Sequence, residues 1–313
     1  MEVVKNNFTF PSVTGFVNIN SRSWVPDDSS TIKGVIQIAH GMAEHIDRYD
    51  DFATFLANNG YAVFANDHIG HGKSINNIDE LGYFSEHNFA GEAFVDDCKQ
   101  LQDIAVKQYP NLPYILFGHS MGSFIARKFT AKYGNTLTAV IYCGTAPKNA
   151  MAPIAIKLAE RAVKTKGEFY RSEKINNLSF KGFNKKFDNR TAYDWISTRN
   201  DIVDKFIDDE KCGFIFTALG FRDLFTLLDS VSHTSWYESV PTSLPIFAIY
   251  GGMDPVGAYG KGVKKIVDKL RSTGHNVTDK LYPNCRHELL NETNNKEVYA
   301  DVLEWIDNEI KPQ

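Results

Sequence analysis

The feature that most constrains the fold is a series of short, uninterrupted apolar segments, each followed by a stretch with helical spacing. The clearest of them are GVIQIA at Gly34–Ala39, YAVFA at 61–65, YILFG at 114–118, AVIYC at Ala139–Cys143 and PIFAIY at 245–250. Strands that are apolar along their whole length are typical of a parallel sheet covered by helices on both faces. The sequence therefore predicts an α/β fold with a mostly parallel central sheet.

The alternation of strand and helix is interrupted once. It stops near residue 150 and resumes near residue 241, and the segment between contains helical, aromatic and polar stretches without a comparable apolar strand. We therefore expect an α/β core made of residues 1–149 and 241–313, with a helical cap inserted at 150–240. The other predicted elements are an antiparallel hairpin over 8–24, helices over 48–59, 89–109, 121–133, 259–272 and 296–310, and a strand over 278–282.

One short motif combines a nucleophile with the turn that would expose it. Gly118-His119-Ser120-Met121-Gly122 matches G-x-S-x-G, follows an apolar strand directly and opens a helical segment. A sharp strand-to-helix turn of this kind lifts a serine hydroxyl above the edge of the sheet. Glycines on both sides allow the neighbouring backbone to approach where a Cβ would collide. This context favours Ser120 as a nucleophile over a capping serine in a glycine-rich turn.

A serine hydroxyl reacts when a histidine takes its proton and an acid orients that histidine. In open parallel sheets, the groups that face a ligand lie at the carboxyl ends of the strands. His287 follows the predicted strand at 278–282 and satisfies this rule, whereas His275 precedes that strand and is expected in a surface loop. His233 lies within the cap and is less well placed. We therefore predict His287 as the base.

The same rule selects the acid. Asp254 follows the predicted strand at 245–250, in the turn Gly251-Gly252-Met253-Asp254-Pro255. The resulting order, serine, aspartate, histidine, is the order found in α/β-hydrolases. Taken alone, an aspartate before a proline is an ordinary turn residue, so the joint placement carries the prediction. Asp229 is the reserve acid.

The negative oxygen of an acyl-transfer intermediate needs hydrogen-bond donors. The residue after the nucleophile supplies one of them, the N–H of Met121. The loop after the first core strand reads His40-Gly41-Met42-Ala43-Glu44, and its Met42 N–H is the second candidate. We expect His40 and His119, which end strands beside glycines, to have hydrogen-bonded structural roles.

Charge, cysteine spacing and missing motifs exclude several other classes. The chain has 34 Lys and Arg against 38 Asp and Glu, a formal net charge of −4, which gives no electrostatic case for binding nucleic acid. Its four cysteines form no CxxC pair, and no P-loop, dinucleotide-binding or HExxH pattern is present, so we expect no metal and no cofactor. Neither a signal-like N-terminus nor a long apolar stretch occurs, so we expect a cytoplasmic protein without stable membrane insertion. The sequence does not indicate an oligomeric state.

Five motifs spread along the chain occur in an order known from one group of enzymes. They are HGMAEH at 40–45, NDHIGHGKS at 66–74, GHSMGS at 118–123, GGMDP at 251–255 and CRHE at 285–288. This set resembles the monoacylglycerol lipase and lysophospholipase-like serine hydrolases of the α/β-hydrolase superfamily. The resemblance implies an α/β-hydrolase fold with a triad of Ser120, Asp254 and His287. It also implies oxyanion donors from Met42 and Met121, no cofactor, and a cap over the pocket.

The resemblance further implies that the partner is a small-molecule carboxylic ester, often one with an acyl chain. It implies that the polar segment 67–74 braces the loops of the site rather than reacting. The cap contains a dense apolar block between residues 214 and 228, which must be buried or bind something apolar. Packing of the cap on the core would account for such a block. We hypothesise that Phe214, Phe221 and Leu224 line an acyl channel.

The function that we predict is a serine hydrolase that cleaves carboxylic esters through an acyl-enzyme intermediate. Two other functions remain open. An aminopeptidase or amidase would use the same triad on small peptides and would need a cap acid to hold the substrate amine. The unplaced candidates for that acid are Glu160, Glu168, Asp194 and Asp201. A catalytically silent binding module on the same fold is the third possibility, and the complete Ser/Asp/His set argues against it.

Overall fold

Eight strands form the central sheet of the computed structural model, which describes residues 2–28, 32–84 and 91–310. The strands are β1 Val3–Pro11, β2 Asn18–Pro26, β3 Gly34–Ala39, β4 Tyr61–Asn66, β5 Tyr114–His119, β6 Ala139–Cys143, β7 Ile246–Gly251 and β8 Val277–Tyr282. Their order across the sheet is β1-β2-β4-β3-β5-β6-β7-β8. The pairs β1–β2 and β2–β4 are antiparallel and all other neighbours are parallel. The sheet therefore has the predicted, mostly parallel arrangement.

Helices cover both faces of this sheet. They are α1 Asp50–Asn58, α2 Glu92–Gln108, α3 Met121–Tyr133, α4 Ala152–Lys166, α5 Glu173–Ser179, α6 Asn200–Asp208, α7 Ala218–Ser230, α8 Thr234–Ser239, α9 Lys261–Ser272 and α10 Asn295–Glu309. Helices α2, α3 and α9 contribute to the apolar core on one face, and α1 and α10 contribute to the core on the other. Among the described helices, none combines the length and the apolar character that a membrane crossing requires.

Burial on both faces explains why the core strands read as uninterrupted apolar runs. Side chains alternate along a strand, and in β5 Leu116 joins one core while Ile115 and Phe117 join the other. All three side chains are fully buried. A polar residue at any of these positions would therefore be buried, whichever face it pointed to. The apolar runs were a reliable signal because neither face of these strands meets solvent.

Most predicted elements have nearly the predicted bounds. The helix at Met121–Tyr133 and the strands at Gly34–Ala39 and Ala139–Cys143 match residue for residue. The helix predicted over 48–59 begins as a 3₁₀ turn at Ile46–Tyr49 and continues as α1. The helix predicted over 89–109 is observed as α2, and its first two predicted residues lie outside the described part of the chain.

The interruption in the alternation corresponds to a helical segment between β6 and β7. Within it, α4 packs against α7, and α7 and α8 pack against α3 of the core. An isolated antiparallel bridge joins Arg171 to Thr217, near the start of α7. We propose that residues 150–240 are a cap domain, and that residues 1–149 and 241–313 form the core.

Candidate active site

Ser120 occupies a strained turn between β5 and α3. Its φ and ψ angles are 53° and −119°, a conformation that residues other than glycine rarely adopt. A Cβ on Gly118 would lie 2.3 Å from the carbonyl oxygen of Gly122, and a Cβ on Gly122 would lie 2.0 Å from that of Ala39. The N–H of Ser120 donates to the carbonyl of Cys143 at 2.9 Å. The two flanking glycines are thus required sterically, as the motif predicted.

The predicted base and acid meet at the carboxyl ends of adjacent strands. Nδ1 of His287, in the loop after β8, lies 3.0 Å from Oδ2 of Asp254, in the turn after β7. Both side chains are buried, and Oδ1 of Asp254 also accepts the N–H of Val256 at 2.8 Å. An ionised carboxylate can only accept, so this contact places the proton on Nδ1 and leaves Nε2 as an acceptor. His287 and Ser120 line the same cavity.

The remaining candidates for base and acid lie elsewhere. Nε2 of His233 lies 2.9 Å from Oδ2 of Asp229, so the reserve acid pairs with a histidine of the cap. His275 lies on the predicted edge of the sheet, but its assignment to a surface loop is wrong because its side chain is buried. Its ring nitrogens lie 3.1 Å from the carbonyl oxygens of Leu270 and Val240. The end of the cap supplies the second carbonyl, a neighbour that local sequence does not reveal.

The two residues predicted to supply oxyanion donors line the same cavity as Ser120. Met42 lies within residues 40–44 after β3, the loop predicted to supply an oxyanion donor (the oxyanion loop), and Met121 is the first residue of α3; both line the cavity. Neither N–H donates to an acceptor within the part of the chain that the structure describes. The loop is held by the N–H of Gly41, which donates to the carboxylate of Glu44. Such a pair of donors can bind the negative oxygen of a tetrahedral intermediate.

A buried charged network lies behind this loop, and the sequence reasoning did not find it. The guanidinium of Arg48 donates to Glu44 at 2.6 Å and to both carboxylate oxygens of Glu288 at 2.7 Å. The hydroxyl of Tyr49 donates to Glu44 at 2.7 Å and contacts Nδ1 of His119 at 3.0 Å. The i,i+4 spacing of Glu44 and Arg48 was an available signal, whereas Glu288 is distant in sequence.

The network sets the protonation of its members. Burial alone would raise the pKa of Glu44, but the hydrogen bond to His119 and the charge of Arg48 outweigh it and hold that pKa well below its ordinary value. Burial alone would lower the pKa of His119, and its hydrogen bond to Glu44 reverses the shift. Nε2 of His119 lies 3.3 Å from the carbonyl oxygen of His287. The network therefore supports the backbone that carries His287.

The cap also contacts the loop of His287. The N–H of His287 donates to the carbonyl of Trp195 at 3.4 Å, and that of Glu288 donates to the carbonyl of Ile196 at 2.7 Å. The indole of Trp195 lies 5.2 Å from the imidazole of His287, measured between ring centroids. Sequence reasoning missed Trp195 because nothing near it in the chain marks it as a neighbour of the site.

The segment 67–74 holds several loops of the site together. Oδ1 of Asp67 accepts the N–H of Ile46 at 2.9 Å, and Oδ2 accepts from Asn20 and from the N–H of Lys73, both at 2.8 Å. The hydroxyl of Ser74 donates to the carbonyl of Asp67 at 2.7 Å. These bonds connect the turn after β4 to the segment that follows the oxyanion loop. The segment braces the site, as the resemblance implied.

A cavity of about 420 Å³ opens above Ser120, between the core and the cap. Aromatic and aliphatic side chains make up most of its wall, and they include Phe214, Phe221 and Leu224. The structure therefore places all three side chains that we expected in an acyl channel at the cavity wall. A mainly apolar cavity of this size is typical of a small-molecule site.

Comparison with known proteins assigns the chain to a family. The family model described as serine aminopeptidase, S33, matches residues 30–294. The chain belongs to this S33 family. The monoacylglycerol lipase of Mycolicibacterium smegmatis is 29% identical to this S33 protein over 308 residues, which are 96% of this chain and 97% of that enzyme. The monoglyceride lipase of Mus musculus is 40% identical over 105 residues, which are 34% of this chain and 32% of that enzyme.

Structural comparison extends the similarity to nearly the whole chain. A highly thermostable carboxyl esterase from Bacillus coagulans, solved in complex with glycerol, superposes on this S33 protein with a TM-score of 0.91. The two are 30% identical, and the match covers 99% of this chain and 100% of that one. The predicted α/β-hydrolase fold and the resemblance to monoacylglycerol lipase-like enzymes are both confirmed.

Proposed function

We propose that this carboxylic ester hydrolase uses Ser120 as its nucleophile, His287 as its general base and Asp254 to orient the histidine. The observation that carries the proposal is the 3.0 Å contact between Nδ1 of His287 and Oδ2 of Asp254, beside a cavity that Ser120 also lines. Asp254 holds the proton on Nδ1 and stabilises the charged imidazolium that forms during the reaction. The strained backbone of Ser120 supports the proposal independently, because such strain concentrates at functional sites.

In the first half of the reaction, Nε2 of His287 takes the proton of Ser120 as its Oγ attacks the ester carbonyl carbon. The carbonyl oxygen becomes negative and accepts hydrogen bonds from the N–H groups of Met42 and Met121. The imidazolium then gives its proton to the leaving alcohol, and the acyl group stays on Oγ. In the second half, His287 takes a proton from water as the water oxygen attacks the acyl carbon, and it then returns that proton to Oγ of Ser120 as the acid is released.

As substrates we propose monoacylglycerols and related single-chain acyl esters, including lysophospholipids. The apolar wall that contains Phe214, Phe221 and Leu224 suits an acyl chain. The relative from Mycolicibacterium smegmatis, which matches nearly the whole chain, is a monoacylglycerol lipase. A small-molecule ester is the only partner that this proposal requires.

The structure favours ester cleavage over the aminopeptidase activity for which the family is named. An aminopeptidase needs an unpaired carboxylate at the site to hold the substrate amine. Glu44 and Glu288 do line the cavity, but Arg48 binds both. Among the described residues, the cavity wall contains none of the cap acids that we considered for this role, which are Glu160, Glu168, Asp194 and Asp201.

A cytoplasmic location is also part of the proposal. The four cysteines of the chain, Cys98, Cys143, Cys212 and Cys285, are all buried and unpaired as disulfides. Reduced thiols are typical of proteins in reducing compartments. Localisation of a tagged full-length chain checks this proposal, and a chain found outside the cytoplasm contradicts it.

The function is tested by a substrate panel on the purified protein and on Ser120→Ala. The panel contains p-nitrophenyl esters, monoacylglycerols, lysophospholipids and amino-acid p-nitroanilides. We expect the wild type to cleave acyl esters and monoacylglycerols, and the variant to lose at least about 10³-fold in kcat with an unchanged melting temperature. Ester hydrolysis retained by Ser120→Ala would refute the assigned nucleophile. Faster cleavage of the anilides than of the esters would refute the substrate class.

A further inference from the structure

Three potential metal ligands meet where the oxyanion loop of the core touches the cap. His45, Asp209 and Cys212 each offer one ligand atom, and these atoms all lie within 4.8 Å of one another. Within residues 2–28, 32–84 and 91–310, this is the one group of three or more His, Cys, Asp or Glu side chains with that arrangement. The proposed ester hydrolysis uses none of the three.

Backbone contacts already fix the two sides of this cluster relative to each other. His45 directly follows the oxyanion loop, and Asp209 and Cys212 lie in the turn after α6. The N–H of Cys212 donates to the carbonyl of Asp209 at 2.9 Å, which brings the two side chains of the turn together. The N–H of Gly213 donates to the carbonyl of Ala43 at 2.9 Å, so the turn is bonded to the oxyanion loop itself.

Two of the three side chains are already in contact. Nε2 of His45 lies 2.8 Å from Oδ2 of Asp209, and the second oxygen of Asp209 accepts the N–H of Lys211 at 2.8 Å. The Asp209 side chain is 36% exposed whereas Cys212 is 8% exposed, so an ion would enter past the carboxylate and meet the thiol.

We propose that His45, Asp209 and Cys212 bind one Zn²⁺ ion, with water as the fourth ligand. Imidazole, thiolate and carboxylate are the ligand types that zinc takes in proteins, and soft sulfur disfavours Mg²⁺ and Ca²⁺. In a tetrahedral site the ligand atoms lie roughly 3.3–3.8 Å apart. His45 and Asp209 must therefore separate slightly from their 2.8 Å contact, and the sulfur, which lies within 4.8 Å of both, needs to move by roughly 1 Å at most.

Binding changes the protonation of two ligands in a balanced way. The Cys212 thiol gives its proton to solvent and coordinates as a thiolate. The proton of His45 moves from Nε2, which coordinates, to Nδ1, which lies 3.8 Å from Oδ2 of Asp47. An acceptor beside the second ring nitrogen is the usual support of a metal-bound histidine.

The ion would connect the core to the cap. One ligand belongs to the segment that follows the oxyanion loop, and the other two belong to the segment between α6 and α7. Zinc would therefore cross-link two parts of the chain that are distant in sequence, and it should raise the melting temperature of the protein. This role does not depend on the proposed substrate, and it is measurable without any turnover.

Cobalt titration of the metal-free, full-length protein tests the site. Co²⁺ takes the same ligands as zinc, and a bound thiolate gives it a charge-transfer absorption band in the near ultraviolet. We expect one Co²⁺ per chain with this band, and its displacement by Zn²⁺. Cys212→Ser should abolish the band, and Asp209→Asn should weaken binding by at least about tenfold. Cys285→Ser is the matched control and should keep the band, because Cys285 bonds to Asn294 away from the cluster.

Two results would overturn the proposal. One is a wild-type titration without a thiolate band, whether or not cobalt binds, because Cys212 would then not be a ligand. The other is a band that survives in Cys212→Ser, which would place the metal on another thiol. If Cys212→Ser does not fold, Asp209→Asn still tests the site. The Asp209 side chain is partly exposed, so the melting temperature of this variant should stay close to that of the metal-free wild type.

Discussion

Arg48 binds two buried carboxylates beside the site. Its guanidinium donates to Glu44 at 2.6 Å and to Glu288 at 2.7 Å, and both carboxylates are buried. Truncation of one partner in a buried ion pair costs about 3–5 kcal/mol, because the other charge stays buried and uncompensated. Arg48→Ala should therefore lower the free energy of unfolding in urea by about this amount.

A surface arginine provides the control for this prediction. Arg190 pairs with Asp204 at 2.6 Å, and both side chains are more than a third exposed. Exposed ion pairs contribute about 0–1 kcal/mol, so Arg190→Ala should have a small effect. Similar losses in the two variants would show that Arg48 does not support the site through its buried charge.

Asp97 gives a prediction for the pH dependence of stability. Burial raises the pKa of Asp97 to about 6, so the fold favours its protonated form. Its contribution to stability is complete below the unfolded pKa of about 4 and is lost as the pH rises through 6. Asp97→Asn cannot ionise, and an amide can keep the bonds to the N–H of Val13 and the hydroxyl of Ser12. Between pH 4 and 7 its stability relative to the wild type should rise by about 2–3 kcal/mol.

Urea unfolding of Asp97→Asn and the wild type at several pH values measures this difference. The comparison isolates Asp97, because every other titrating group is common to both proteins. A difference that stays constant from pH 4 to pH 7 would contradict the raised pKa.

At the scale of elements, the sequence predicted best the strands whose side chains are buried on both faces of the sheet. Ile115 and Phe117 face one apolar core and Leu116 faces the other, so β5 reads as an apolar run. The turn after β5 could be predicted equally well, because only glycine fits at Gly118 and Gly122. The residue at which α1 begins was predicted less well. The 3₁₀ turn at Ile46–Tyr49 places buried side chains at a spacing close to that of the helix, so the sequence pattern does not separate the two.

Helix α7 supplies the prediction that belongs to this scale. Leu224 lies on α7 and lines the cavity, so Leu224→Trp should fill part of the space proposed for the acyl chain. The kcat/KM for long-chain p-nitrophenyl esters should fall by about 10–100-fold. The kcat/KM for p-nitrophenyl acetate should stay within about twofold of the wild-type value. Leu158→Trp is the matched control, since Leu158 lies exposed on α4 and is not part of the cavity wall. An equal effect on all chain lengths would argue against an acyl channel at this wall.

At the scale of the whole molecule, parallel strands make distant residues meet at one edge of the sheet. That rule sufficed to select Asp254 and His287 from the sequence, because each follows a strand at its carboxyl end. It gave no indication of Glu288, which bonds to Arg48 across 240 residues, because no pattern links the two positions. The contact of His45 with Asp209 across 164 residues was hidden for the same reason.

The most direct test of the central claim is the site of covalent labelling by a fluorophosphonate, mapped by peptide mass spectrometry. An activated serine is required for this reaction, and only a serine with a base beside it reacts quickly. We predict a single adduct on the peptide that contains Ser120, and labelling slowed at least about 10³-fold in His287→Ala. An adduct on another residue, or undiminished labelling without His287, would contradict the proposed triad.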